Sequence, residues 1–157
     1  MRTARHTTAR PGDQHRPSEL PTLPPWHTFP AGPAYHLLMA VSGNVSVHKN
    51  GHTRTYAPHQ IVLLDSTSGV ATLQGQVVML RFTDAELYRW LPVPQTLIGQ
   101  ALLGETGWGK VLRVYCESLT PACLAAATPQ QSAQIQFHVL TLVGYAAEEQ
   151  HINGKTG

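Results

Sequence analysis

The chain has 157 residues, 42% of them hydrophobic, a formal net charge of +2 and two cysteines. That is one domain's worth, long enough to build a core without disulfide or metal staples. No apolar run approaches the ~18 residues that a spanning helix needs, and no apolar segment follows the N-terminal arginines, so neither a membrane span nor a secretory leader is expected.

Cys116 and Cys123 form no CxxC and lie near no histidine cluster. They indicate neither a zinc knuckle nor a secreted disulfide framework, and a cytoplasmic setting is expected. The charge is unevenly placed. Arg2, Arg5, Arg10 and Arg16 outnumber Asp13 and Glu19, and beyond residue 26 seven basic and seven acidic residues cancel. Affinity for DNA comes mainly from Lys and Arg neutralising phosphates, so no direct DNA binding is expected from a neutral body without a basic stripe.

Residues 1 to 33 hold seven prolines and few apolar side chains before Trp26. Such a composition does not repay its ordering entropy, so residues 1 to 25 are expected to form a disordered arm. Trp26 and Phe29 either anchor that arm on the body or close the end of the core.

From 26 to 83 the chain reads as closely spaced strands. YHLLMAVSG is an apolar run ended by Gly43, VSVHK alternates, and Asn50-Gly51 calls for a type I′ hairpin turn. RTY returns, APHQ breaks the strand, IVLLD reads as buried, and VATLQG with QVVMLRF forms a further pair around Gly75. So many short strands imply a barrel or a sandwich.

His48, His52 and His59 fall close together in HKNGHTRTYAPHQ and raise the question of a metal site. If Asn50 and Gly51 make the turn, Lys49 faces His52 and His48 faces Thr53. Side chains alternate faces along a strand, which puts His48 and His52 on opposite faces. His59 belongs to the next turn, so a solvated hairpin is expected and no metal.

After Thr83 the texture becomes helical. TDAELYRWL carries a capping box of Thr83 and Glu86, and short helices are expected over 95 to 103 and 107 to 119. GETGWGK, at 104 to 110, follows the first of these and lacks a hydroxyl after its lysine, so it reads as a helix-to-helix loop and not a phosphate cradle. In PQQSAQIQFHVLTLVGYAAEEQ, Pro129 suits a first helical turn. There Ile135, Val139, Leu142 and Ala146 form an apolar stripe that Leu140 and Val143 widen. The stripe serves either a dimer contact or packing onto the chain's own body. Residues 84 to 150 make the helical part, and HINGKTG reads as a flexible tail over 151 to 157.

The stretch YHLLMAVSGNVSVHKNGHTRTYAPHQIVLLDSTSGVATLQGQVVMLRF, followed by FTDAELYRWLPVP and ALLGETGWGKVLRVYCESL, resembles the N-terminal cupin-like domain of AraC-type transcriptional regulators over roughly residues 26 to 150. The resemblance implies an α+β, mainly β fold, with a cupin-like β-barrel (a double-stranded β-helix) leading into a helical dimerisation segment. It implies a regulatory role, effector-sensing or dimerising, and no enzyme activity. Partners would be a small organic effector and a second protomer, in a homodimer or a heterodimer with a full-length regulator. Candidates to meet the effector are His36, Arg54, Tyr56, Arg81 and Trp26.

Metal-binding cupins place two histidines and a glutamate before the glycine that Gly43 matches. Here His36 stands at the glutamate's place and the paired positions fall among Phe29, Pro30, Ala31 and Gly32, so no metal or other cofactor is expected. Two features depart from the regulator pattern. Pro58-His59-Gln60 replaces a Pro-Gly-Asp turn, putting a histidine where positive φ is usual. The chain also stops at Gly157 without the helix-turn-helix half, which suggests a stand-alone or truncated regulatory domain. A small cupin-like protein acting on or storing an organic molecule is the second reading.

Overall fold

The computed structural model describes residues 26–28, 34–91 and 93–155. The arm expected over 1 to 25, and Phe29, lie outside them. Strand β1 (Trp26–Thr28) precedes β2 (Ala34–Ala40), β3 (Val45–Lys49), β4 (His52–Tyr56), β5 (Ile61–Asp65), β6 (Val70–Leu73) and β7 (Val77–Thr83). Then come α1 (Asp84–Trp90), a 3-10 turn (Pro94–Thr96), β8 (Ala101–Leu102), α2 (Gly107–Ser118), α3 (Pro121–Ala126) and α4 (Pro129–Lys155).

The strands make two open antiparallel sheets, ordered β1-β6-β3-β4 and β7-β2-β5-β8, and not a closed barrel. Among the described residues helix amounts to 44% and strand to 31%, so the fold is α+β with helix outweighing strand, where the sequence reading expects mainly β. The excess comes from α4, which runs on through 151 to Lys155 into the segment expected as a tail.

The β3–β4 hairpin has the anticipated turn. Asn50 and Gly51 both have positive φ, at 52° and 76°, and Lys49 pairs with His52 and His48 with Thr53. His48 and His52 therefore lie on opposite faces of the ribbon.

Burial sorts the residues into three layers. Alternate residues of β2, Leu38 and Ala40, pack with Val62 and Leu64 of β5 and Met79 of β7 against Val45, Val47, Tyr56, Ala71 and Leu73 of the other sheet. The intervening residues Tyr35, Leu37, Met39, Ile61, Leu63, Leu80 and Phe82 face the opposite way and pack with Leu87, Leu91, Leu112, Cys116, Val139, Leu140, Val143 and Ala146 of the helices. All seven residues of β2 are buried, as a strand covered on both faces requires. In β4 only Tyr56 is buried.

The expected helix over 95 to 103 is instead the 3-10 turn and β8. Gly99 sits at φ 76°, a conformation that stops a helix, and its N–H donates to Leu63 O at 2.9 Å. The apolar residues after it complete the free edge of β5, with Ala101 and Leu102 opposite Val62 and Ile61. The capping box at α1 is present as expected. Helix α3 is an addition, started by Thr120, whose hydroxyl accepts from Cys123 N–H at 3.1 Å, and by Pro121. Among the described residues no helix is long and apolar enough to cross a membrane.

The β2–β3 and β6–β7 turns interlock. Val41 N–H donates to Gln76 O at 2.8 Å and Gln74 N–H to Asn44 O at 2.9 Å. A Cβ on Gly43, whose φ is 75°, would meet Gln74 O at 2.2 Å, whereas one on Gly51 would meet nothing within 4 Å. Gly43→Ala is therefore expected to lose more than about 2 kcal/mol in urea denaturation, and Gly51→Ala only about 1 kcal/mol, the left-handed penalty alone. Equal losses at the two glycines would refute the interlock.

Candidate functional site

Of the five residues expected to meet an effector, His36 and Arg81 come together and Arg54 and Tyr56 lie apart from them, while of Trp26 only the backbone is described. His36 is buried in β2 on the face that looks toward the other sheet, and Arg81 of β7 is its cross-strand partner on that face. Arg81 is half-buried and has no acid partner among the described residues. Nearby, Asp65 at the end of β5 is engaged in its own turn. Its Oδ1 accepts from Thr67 N–H at 3.0 Å, Thr67 Oγ1 at 2.7 Å and Ser68 Oγ at 3.0 Å. Burial pushes the Asp65 carboxyl up, but these hydrogen bonds and Lys49 outweigh it and hold the group below the usual carboxylate range.

Tyr56 stands at the opposite end of the sandwich. Its hydroxyl donates to Gly99 O at 2.6 Å, which ties β4 to the loop that feeds β8, and burial raises its pKa. Arg54 is exposed on β4 with its guanidinium 5.5 Å from the centre of the Tyr56 ring, a surface cation–π contact. The backbone of Trp26 pairs with Thr72 of β6. The site on the inner face thus reduces to His36 and Arg81, with Tyr56 as a structural tie.

His59 has φ 68°, the left-handed conformation that the resemblance to a Pro-Gly-Asp turn implies at this position. The corner is held from three directions. His59 N–H donates to Ala40 O at 2.9 Å, its carbonyl lies against Gly104 where a Cβ would sit only 2.2 Å away, and its Nδ1 is 3.5 Å from Glu117 of α2. Arg113 adds a 2.7 Å hydrogen bond from Nε to Gly104 O and a 3.1 Å contact with Glu117. Among the described residues no three histidines, cysteines or carboxylates are placed to share a metal ion.

The GETGWGK segment follows a strand, β8, and not the helix expected before it. Its last residues start α2, and the anion at that helix N-terminus comes from the chain itself. Glu149 of α4 accepts from Trp108 N–H at 2.8 Å, and Gly107 leaves it room, since a Cβ there would meet both Glu149 oxygens at 2.3 Å. The neighbouring Gln150 accepts from Leu103 N–H at 3.1 Å and donates to Ala101 O at 2.8 Å, pairing the open edge of β8 as a strand would.

In the α4 stripe, Val139 and Ala146 are buried in the chain's own core, with Leu140 and Val143, and Ile135 and Leu142 pack half-buried against it. Of the two uses expected for the stripe, this chain shows packing onto its own sheet. The unexpected apolar face lies on α2. Trp108, Val111 and Val114 are 44%, 46% and 48% exposed at spacings of three, and the Trp108 ring packs at 4.9 Å and a 52° tilt against Tyr145 of α4, itself 45% exposed. A separate groove of about 580 Å³ runs between the end of α2, α3 and the start of α4.

No protein-family model matches the chain, and the search of curated proteins finds no match.

Burial pushes the Cys116 thiol from an ordinary 9.0 up to about 12, with Glu117 adding to the effect. Burial likewise raises Tyr35 from 10.0 to about 12, aided by Tyr88 and Asp84. Both groups fold in their protonated forms, so their contribution is fully present below pH ~9 and is lost as pH climbs toward ~12. Urea midpoints are expected to hold level up to pH ~9 and then fall. At pH 8 a thiol reagent should titrate Cys123 in the native protein and Cys116 only on unfolding. Rapid reaction of both thiols in the native state would contradict the burial of Cys116.

Proposed function

We propose that the chain is a regulatory domain of the AraC type, a cupin-like sandwich that senses a small organic effector and a helical segment that pairs protomers. The strand order supports the sandwich half. In both sheets most hydrogen-bonded neighbours are non-consecutive strands, the interleaving of two Greek keys found in jelly rolls and cupins.

The observation that carries the proposal is the outward apolar face of α2, Trp108, Val111 and Val114, continued by Tyr145 of α4. Each residue could have been polar at no cost to the monomer's core, because the buried side of α2 is supplied by Leu112 and Cys116. A contiguous exposed apolar face that includes a Trp and a Tyr is the composition of a pairing surface. A two-fold contact would set this face against its copy. On the sensing side, Arg81 is the cation an effector would meet at the edge of the sandwich, and His36 lies behind it.

Light scattering coupled to size exclusion is expected to give a dimer at tens of micromolar. The double variant Trp108→Ser, Val111→Glu should give a monomer with an unchanged melting transition, because exposed substitutions of this kind shift stability by only about 0.5 kcal/mol. A monomeric wild-type protein, or a double variant that stays dimeric, would overturn the pairing half of the proposal.

A further inference from the structure

The groove between α2, α3 and α4 lies apart from the sandwich interior. Its lining comprises Tyr115, Cys123, Ala126, Ala127, Gln130, Gln131, Gln134, Ile135 and His138, and a volume of about 580 Å³ falls within the range of small-molecule sites. We propose that it binds an uncharged organic molecule built on a flat ring.

Charge excludes the alternatives first. No Lys, Arg, Asp or Glu lines the groove, so an ionic ligand would leave water without gaining a counter-charge. Ile135, Ala126 and Ala127 give the groove apolar lining that favours a hydrophobic body. Two of the lining side chains are aromatic and contact each other. The rings of Tyr115 and His138 meet edge to face at 88° with centroids 5.8 Å apart, and Tyr115 Oη lies 2.9 Å from His138 Nδ1. Rings locked by one another lose little entropy on binding, which favours a planar partner.

The rim supplies hydrogen bonding without charge. Gln131 is committed to the start of α4, where its Oε1 accepts from Thr128 N–H at 2.9 Å and Thr128 Oγ1 accepts from Gln131 N–H at 3.1 Å. Gln130 and Gln134 are exposed on α4 and offer amides to a hydroxyl or carbonyl on the ligand. Cys123 is exposed at the same groove, so its alkylation reports directly on occupancy.

Nile red, a neutral planar dye, is the probe. It is expected to bind with 1:1 saturation and a blue-shifted emission, and to slow alkylation of Cys123 by N-ethylmaleimide. Ala126→Trp in α3 and Gln134→Trp in α4 fill the groove from two sides at exposed positions and should each weaken binding by roughly tenfold. His52→Ala, an exposed substitution in the β3–β4 hairpin away from both the groove and the α2 face, should leave binding as it was, and melting curves would confirm that all three variants fold. The proposal is overturned if the dye does not saturate, if both tryptophan variants bind it as the parent does, or if the anionic 8-anilinonaphthalene-1-sulfonate competes for the groove with equal affinity.

Discussion

The sheet β7-β2-β5-β8 is apolar on both faces, and everything else in the molecule follows from having to cover it twice. The runs in β2 and β5 lack the alternation of a half-solvated strand, so neither face tolerates water. The second sheet covers one face and the helices the other. Fully burying Val139, Leu140 and Val143 against the outer face contributes about 1.5–3 kcal/mol each. The helical segment is therefore half of the fold's core, packed directly on the sandwich.

Specific contacts strengthen that attachment at both ends of α2. Glu149 caps its first turn, and Glu117 near its last turn reaches the His59 corner, whose strained backbone is fixed by the neighbouring strand and by Gly104. A histidine in the left-handed region costs about 1–2 kcal/mol and persists only where its surroundings determine it. The corner joins β4 to β5 and so links both sheets to α2 through backbone contact as well as side chains.

Local rules made much of this legible in the sequence. Asn50-Gly51 fixed a turn and a register, and with them the separation of His48 from His52. Thr83 and Glu86 announced a helix start, whereas the positive φ at His59 followed only from the resemblance, which sets a histidine where a Pro-Gly-Asp turn is usual. What stayed hidden depends on distant partners. The residues around Gly99 read as helix because nothing nearby in the sequence reveals that β5 has an open edge to fill. Glu149 lies 41 residues beyond the amide it caps. The α4 stripe was visible, but periodicity alone does not say whether an apolar stripe meets its own chain or another. The resemblance groups Arg54, Tyr56 and Trp26 with His36 and Arg81, but neither the strand faces nor the position of each residue along the sandwich is readable from sequence, because a one-residue slip in register inverts every face.

Native-state hydrogen exchange tests most directly whether sandwich and helices are one cooperative unit. If the double-faced sheet binds them together, the slowest amides of β2, β5 and the 139–146 stretch of α4 should exchange with a common free energy equal to that of global unfolding. Exchange of the α4 amides through a separate, lower-energy opening while β2 and β5 stay protected would contradict it.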